Sequence, residues 1–235
     1  MRMRKKKNGE KRLFACREFL AAAPDLTQKC IWLEIGAGKG GFACQMAERN
    51  PEVAYYAMER VSDCVTLAAE RAKAINSERG TLQNLKFIVD TADNLSLLFE
   101  DGSLDAIYLN FSDPWSKKGY AKRRLTHRRY LKLYLSLLKD GGFIRFKTDN
   151  EALFDFSLEE IEALELTPEI VTRDLHNSEY NENNIRTEYE ESFASLGYKI
   201  NMLQLRKPVG YNAEIPPELT VDGRKEAIER YNKDN

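Results

Sequence analysis

Histidine is nearly missing from this chain: His127 and His176 are the only two among 235 residues. A histidine-based metal site is therefore not expected. The four cysteines, Cys16, Cys30, Cys44 and Cys64, lie far apart and form no CxxC pair. That spacing argues against a structural zinc site or a disulfide framework, and it fits a reducing, cytoplasmic setting. No apolar run approaches the roughly 20 residues that span a bilayer. The basic N-terminus has no apolar segment behind it, so a secretory signal is not expected either. The formal net charge is -1. The protein as a whole is no polycation, and any nucleic-acid surface must come from local patches.

What is present is apolar material for a single α/β domain, with 43% of residues hydrophobic. Residues 1–12 carry Arg2, Arg4, Lys5, Lys6, Lys7, Lys11 and Arg12 against one acid, Glu10, which reads as a basic arm. A helix is predicted over 12–22, from the spacing of Leu13, Phe14, Phe19 and Leu20. Strands at 31–35, 53–59, 85–89, 105–111 and 143–147 then alternate with helices at 40–49, 62–77, 124–138 and 150–164. Further strands are expected around 168–173 and 199–205. Such alternation predicts a mostly parallel sheet covered on both faces. The division expected is a basic arm and helix over 1–30, a main domain over 31–207, and a C-terminal extension over 208–235.

Glu34-Ile35-Gly36-Ala37-Gly38-Lys39-Gly40-Gly41 joins the first strand to the first helix of this alternation. Glycines there permit a tight turn and let backbone amides approach a ligand at the helix N-terminus. The run satisfies both G-x-G-x-G (36, 38, 40) and G-x-G-x-x-G (36, 38, 41), so alone it does not separate S-adenosylmethionine from a dinucleotide. Glu59, ending the second strand, suits ribose hydroxyls. Glu34 discriminates further. A carboxylate there would repel a pyrophosphate but attract an ammonium or a sulfonium. Thr91 and Ala92 follow the third strand, where folds of this kind contact an adenine edge.

The fourth strand ends in Asn110-Phe111-Ser112-Asp113-Pro114-Trp115, at the carboxyl edge where ligands gather in open α/β sheets. Asp113 offers a carboxylate, and Trp115 a stacking face worth about 1–3 kcal/mol per base. From Pro114 to Lys139 there is no acid, while Lys117, Lys118, Lys122, Arg123, Arg124, Arg128, Arg129 and Lys132 fall in that window. A solvated helix normally mixes signs. A one-signed run interleaved with Tyr120 and Tyr130 reads as a phosphate-binding surface for RNA or DNA.

In this order, the motifs resemble those of the bacterial tRNA (guanine-N7-)-methyltransferases over most of the chain. The resemblance rests on Met1 to Arg4, Glu34 to Gly40, Glu59, Leu109 to Trp115 with Lys117-Lys118 and Lys122 to Leu125, Phe146 to Asn150, Leu175-His176-Asn177, and Thr187 to Phe193. It implies a Rossmann-like class I methyltransferase fold with seven strands and an antiparallel last strand. It also implies S-adenosylmethionine as donor and guanine-46 of the tRNA variable loop as acceptor. Cofactor contacts would come from Glu34, Gly36, Gly38, Gly40, Glu59, Thr91, Ala92 and Asp113, with Asp113 also the active-site acid. Substrate contacts would come from Lys117, Lys122, Arg123, Arg124, Asp149, Thr187, Glu188, Tyr189 and Glu190. The protein would act as a monomer or homodimer. Ser116 stands where the family usually has proline, Gly119 and Tyr120 where arginine and histidine are frequent, and Thr91 where Asp or Asn is commoner.

Three other readings use the same residues. Acid-proline-aromatic also suits a methyltransferase acting on an exocyclic amine of another nucleic acid. The G-x-G-x-x-G overlap suits an NAD-dependent oxidoreductase, though no catalytic His, Tyr/Lys or Cys set accompanies it. A non-catalytic RNA-binding protein would leave Glu34 and Glu59 without a purpose.

Overall fold

The computed structural model describes residues 8–234. The expected arm residues Arg2, Arg4, Lys5, Lys6 and Lys7 lie outside the described residues. The seven strands are β1 (Ile31–Ile35), β2 (Ala54–Glu59), β3 (Leu85–Val89), β4 (Leu104–Asn110), β5 (Leu138–Thr148), β6 (Ile170–Thr172) and β7 (Asn201–Arg206). They form one sheet in the order β3-β2-β1-β4-β5-β7-β6. Strands β1 to β5 pair in parallel, and β7 runs antiparallel to both β5 and β6. The expected mixed sheet with an antiparallel last strand is what the chain forms.

The chain leaves β1 outward through β2 and β3, then returns to lay β4 on the other side of β1. This reversal of strand order opens a crevice at the carboxyl ends of β1 and β4. The register Glu34↔Tyr108 and Ile35↔Leu109 sets the glycine turn beside the turn that carries Asp113.

Helices α1 (Gly9–Phe14), α2 (Gly41–Arg49) and α3 (Ser62–Arg79) precede β3, and α4 (Leu95–Leu98) precedes β4. Helices α5 (Arg128–Leu137), α6 (Glu151–Glu162), α7 (Glu188–Ala194) and α8 (Val221–Asp234) follow. One face of the sheet packs Tyr55, Phe87 and Tyr108 against α2 and α3, whose Ala43, Ala47, Ala68, Ala69 and Ala72 are fully buried. Small residues at that seam let the helices approach closely. The other face packs Leu33, Ile107 and Phe146 against Leu131, Tyr134, Phe154 and Ile161 of α5 and α6.

Three local expectations are corrected. The helix predicted over 12–22 is instead α1 followed by a 3₁₀ turn at Arg17–Phe19, because the chain then extends alongside β3, with Leu20 bridged to Phe87. The helix predicted over 124–138 starts only at Arg128, capped by the His127 Nδ1, which accepts from the Arg129 amide at 3.1 Å. At its other end, Gly141 and Gly142 do not close the helix. They lie within β5, which begins directly at Leu138, with Gly141 at φ +79°.

The residues after β7 fold back on the core. Leu219 joins the core, its carbonyl accepts from Ser96 Oγ at 2.6 Å, and Arg224 donates twice to Asn94 Oδ1 at 3.0 and 2.8 Å.

Candidate active site

A cleft of ≈ 500 Å³ opens where the carboxyl ends of β1, β2, β3 and β4 meet. Five of the residues expected to contact the cofactor line it: Gly36, Glu59, Thr91, Ala92 and Asp113. Each follows or ends a strand, which is why positions so distant in sequence share one cavity.

The glycines divide into two kinds. A Cβ on Gly36 (φ +84°) or Gly38 (φ +54°) would meet nothing within 4 Å, so these two leave open space in a left-handed turn. Gly40 (φ +72°) is a packing glycine. A Cβ there would come within 2.7 Å of Ala68 Cβ and 3.0 Å of Phe87. Glu59 orders the turn, accepting from the Gly38 amide at 3.2 Å and from the Val61 amide at 2.9 Å. The Thr91 hydroxyl caps the next short turn by accepting from the Asp93 amide at 3.2 Å.

Glu34 lies beneath this cleft rather than on its lining, only 2% exposed. Its Oε1 accepts from Asn110 Nδ2 at 3.1 Å, whereas its Oε2 has no partner. Burial pushes its pKa up to about 7, against the opposing pull of the Asn110 hydrogen bond and the Lys147 charge. Asn110 Oδ1 and Ser112 Oγ are likewise buried without partners. A buried polar atom left unpaired is costly, and most find a partner. Glu34 Oε2 and Asn110 Oδ1 are thus two unsatisfied acceptors near the cleft, of the kind that a cationic ligand would satisfy. Asn110 was not singled out from the sequence. The available signal was an amide closing the apolar run Ala106 to Leu109.

Asp113 sits at the mouth of the cleft with its side chain 69% exposed, 3.6 Å from Arg60. At that exposure the pair contributes little. The backbone around it is more telling. Phe111 (φ +52°) and Trp115 (φ +42°), both left-handed non-glycine residues, flank Asp113. Such conformations cost on the order of 1–3 kcal/mol each and gather where a site must be shaped. The Phe111 amide is held by the Lys147 carbonyl at 2.9 Å. Arg124 holds the other side, donating to the carbonyls of Pro114 at 2.9 Å and Trp115 at 3.2 Å.

The expected cationic run is thus divided. Arg124 is turned onto the turn and over the Phe156 ring, so its guanidinium is not an open phosphate contact. Arg128 is engaged by Glu160, and Arg129 by Asp93. Lys117, Lys118 and Lys122 remain exposed without an ion pair among the described residues. Arg123 is exposed and lines the cleft, lying over the rings of Trp115 (5.1 Å) and Tyr120 (4.6 Å).

The remaining expected substrate residues form a second group, outside the cleft lining. Thr187 caps α7 and completes a capping box with Glu190, a pattern already visible in the sequence as Thr-x-x-Glu. Glu188 is paired with Arg71 of α3. Tyr189 packs on Phe111 with ring centroids 4.9 Å apart, and its hydroxyl lies 3.5 Å from Asp149 Oδ2. Glu190 is not available as a surface contact. It is 0% exposed and accepts from Lys147 Nζ at 2.6 Å, Asn184 Nδ2 at 2.7 Å and His176 Nε2 at 2.8 Å. Burial opposes its ionisation, but the Lys147 ammonium and the other donors outweigh it and hold the carboxyl below the usual carboxylate range.

A family model described as "Putative methyltransferase" matches residues 28–203. The chain is 42% identical over 176 residues to the tRNA (guanine-N(7)-)-methyltransferase of Macrococcus caseolyticus, covering 75% of this chain and 81% of that one. It is 39% identical over 218 residues to the enzyme of the same name from Clostridioides difficile, covering 88% and 99%. Among solved structures it is similar in fold to the 16S rRNA methyltransferase KamB, with a TM-score of 0.57 at 12% identity over 88% of this chain and 96% of that one. An antibiotic-related methyltransferase matches with a TM-score of 0.55 at 17% identity over 88% and 97%. With the strand order, the glycine turn and these relatives in agreement over most of its length, the chain is an enzyme and belongs to the tRNA (guanine-N7-)-methyltransferase family.

Proposed function

We propose that this enzyme transfers a methyl group from S-adenosylmethionine to N7 of a guanine in tRNA, at guanine-46 of the variable loop, in the cytoplasm. The observation that carries this reading is the unpartnered, buried Oε2 of Glu34 beneath the cleft. A dinucleotide would bring a pyrophosphate to that carboxylate, whereas the methionine moiety brings an ammonium. The curated relatives bear the matching name.

When bound, the cofactor supplies an electrophilic methyl group on a sulfonium. Glu34 and the Asn110 carbonyl hold the ammonium, Glu59 takes the ribose hydroxyls, and Thr91 and Ala92 border the adenine. Guanine N7 carries a lone pair and no proton, so Asp113 need not act as a base. Its carboxylate, with Asp149, holds the N–H edge of the guanine and offsets the positive charge that develops on the ring. Alignment of the two reactants is then the main catalytic task. Trp115 and Tyr189 offer stacking faces to a base drawn out of its stack. Thr187 and Glu188 border the same wall. Lys117, Lys118, Lys122 and Arg123 meet phosphates, and the docked RNA covers the exposed Asp113.

Nucleoside mass analysis of tRNA incubated with the protein and S-adenosylmethionine tests this. The expected product is 7-methylguanosine, lost when guanine-46 is replaced. A methyl on an exocyclic amine would favour the competing methyltransferase reading.

A further inference from the structure

The Lys147–Glu190 pair joins residues 43 apart in sequence, and its two side chains are 2% and 0% exposed. Burying an ion pair seldom gains stability over apolar packing of the same volume. Here every bond is nonetheless provided. The three protons of the Lys147 ammonium go to Glu190 Oε2 at 2.6 Å, the Ile185 carbonyl at 2.9 Å and Asn184 Oδ1 at 3.1 Å. Glu190 in turn gathers Lys147, His176, Asn184 and, at 3.4 Å, the Thr187 amide. The end of β5, the turn at Leu175–Asn177 and the segment leading into α7 thus meet at one charged point.

What that point holds bears on the candidate acceptor site. Lys147 grips α7 with its ammonium, and its carbonyl fixes the left-handed Phe111, two residues before Asp113. Tyr189, next to Glu190, packs on the same Phe111 and reaches toward Asp149. The glycine turn and Glu59 take none of their hydrogen bonds from this network. We infer that Lys147 and Glu190 are positioning residues that fix Phe111 and Tyr189 as the wall against which the acceptor base is seated. The inference rests on the proposed reaction and adds to it two residues that touch neither substrate nor cofactor.

The test compares the full-length protein with Glu190→Gln, which keeps the shape of the side chain, and Tyr189→Ala, which removes the wall without touching the buried pair. The measurements are kcat and KM for tRNA, S-adenosylhomocysteine binding by calorimetry, thermal stability, and hydrogen exchange by segment. In both variants kcat should fall about 10–100-fold, the scale of a misplaced reactant. KM for tRNA and S-adenosylhomocysteine affinity should stay close to wild type. In Glu190→Gln, exchange should quicken over residues 184–194 and stay unchanged over 31–49. Unchanged kcat overturns the inference. So does a loss of kcat, cofactor affinity and thermal stability together in Glu190→Gln, which is the mark of a purely structural pair. Should wild-type protein make no 7-methylguanosine, the proposed reaction fails. The exchange data then decide the positioning alone, because unchanged or global exchange in Glu190→Gln overturns it.

Discussion

Asn110 donates to Glu34 Oε1 at 3.1 Å across paired strands, while the other oxygen of the same buried carboxylate has no partner. A single hydrogen bond does not offset full burial, so the pKa of Glu34 rises from the ordinary 4.5 to about 7. Its folded value lies above the unfolded one. The contribution to stability is therefore complete below pH 4.5 and is lost as pH rises through 7. The change is on the order of 3 kcal/mol. Cofactor-free Glu34→Gln should match wild type in chemical denaturation at pH 4.5 and exceed it at pH 8. Equal stability at pH 8 would mean that the carboxylate finds other partners.

On the proposed reading the same group links cofactor binding to protons. A cationic ligand favours the ionised form, so S-adenosylhomocysteine binding near pH 6.5 should release a proton from Glu34. Calorimetry in two buffers of different ionisation enthalpy measures this directly. The release should vanish in Glu34→Gln, together with much of the affinity.

Asp113→Ala should lower kcat by about 10²–10³-fold, the scale seen when a preorganised charge-stabilising group is removed. S-adenosylhomocysteine affinity should change far less. Single-turnover methylation with saturating tRNA separates the two effects, and near-normal turnover would take the active-site role away from Asp113.

The divided cationic run gives opposite expectations for neighbouring residues. Replacing Lys122 and Arg123 by alanine should flatten the salt dependence of tRNA binding, by roughly 0.7–0.9 in log–log slope for each phosphate left unneutralised. Arg124→Ala should leave that slope unchanged and lower kcat, because its guanidinium holds the Pro114 and Trp115 carbonyls. Filter binding across a salt series distinguishes them.

The glycines separate in the same way. Gly40→Ala forces a methyl group to within 2.7 Å of Ala68 in a left-handed backbone, so thermal stability should fall. The penalty is about 1–3 kcal/mol for overpacking, added to about 1–2 for the backbone. Gly38→Ala carries only the backbone penalty, and its effect should appear mainly in cofactor affinity. Melting curves with and without S-adenosylhomocysteine compare the two.

Strands were legible wherever a short apolar run ended in turn residues. Ile31 to Ile35 and Leu85 to Val89 have the bounds that the sequence suggests. Boundaries failed where a cap or a distant strand decides them. The His127 cap marks the start of α5 at Arg128, and Leu20 bridges to Phe87 of β3 in place of a longer helix. Gly36, Glu59, Thr91, Ala92 and Asp113 were legible as a group, because each follows or ends a strand in a fold whose ligands sit at strand ends. The burial of Glu190 was not. Its charge suggests a surface, and only the distant Lys147 and His176 give it a reason to be inside.

The crevice between β1 and β4 also has a meaning in time. Glu34 leaves the ribosome long before Asn110, and Phe111 long before its support at Lys147. No early fragment of the chain therefore carries the whole of the proposed donor site. On the proposed reading, the donor site is complete only after β4 has slotted in beside β1, and the acceptor wall only after Glu190 has followed. The crevice is thus a product of the completed sheet, assembled from strands made far apart in time.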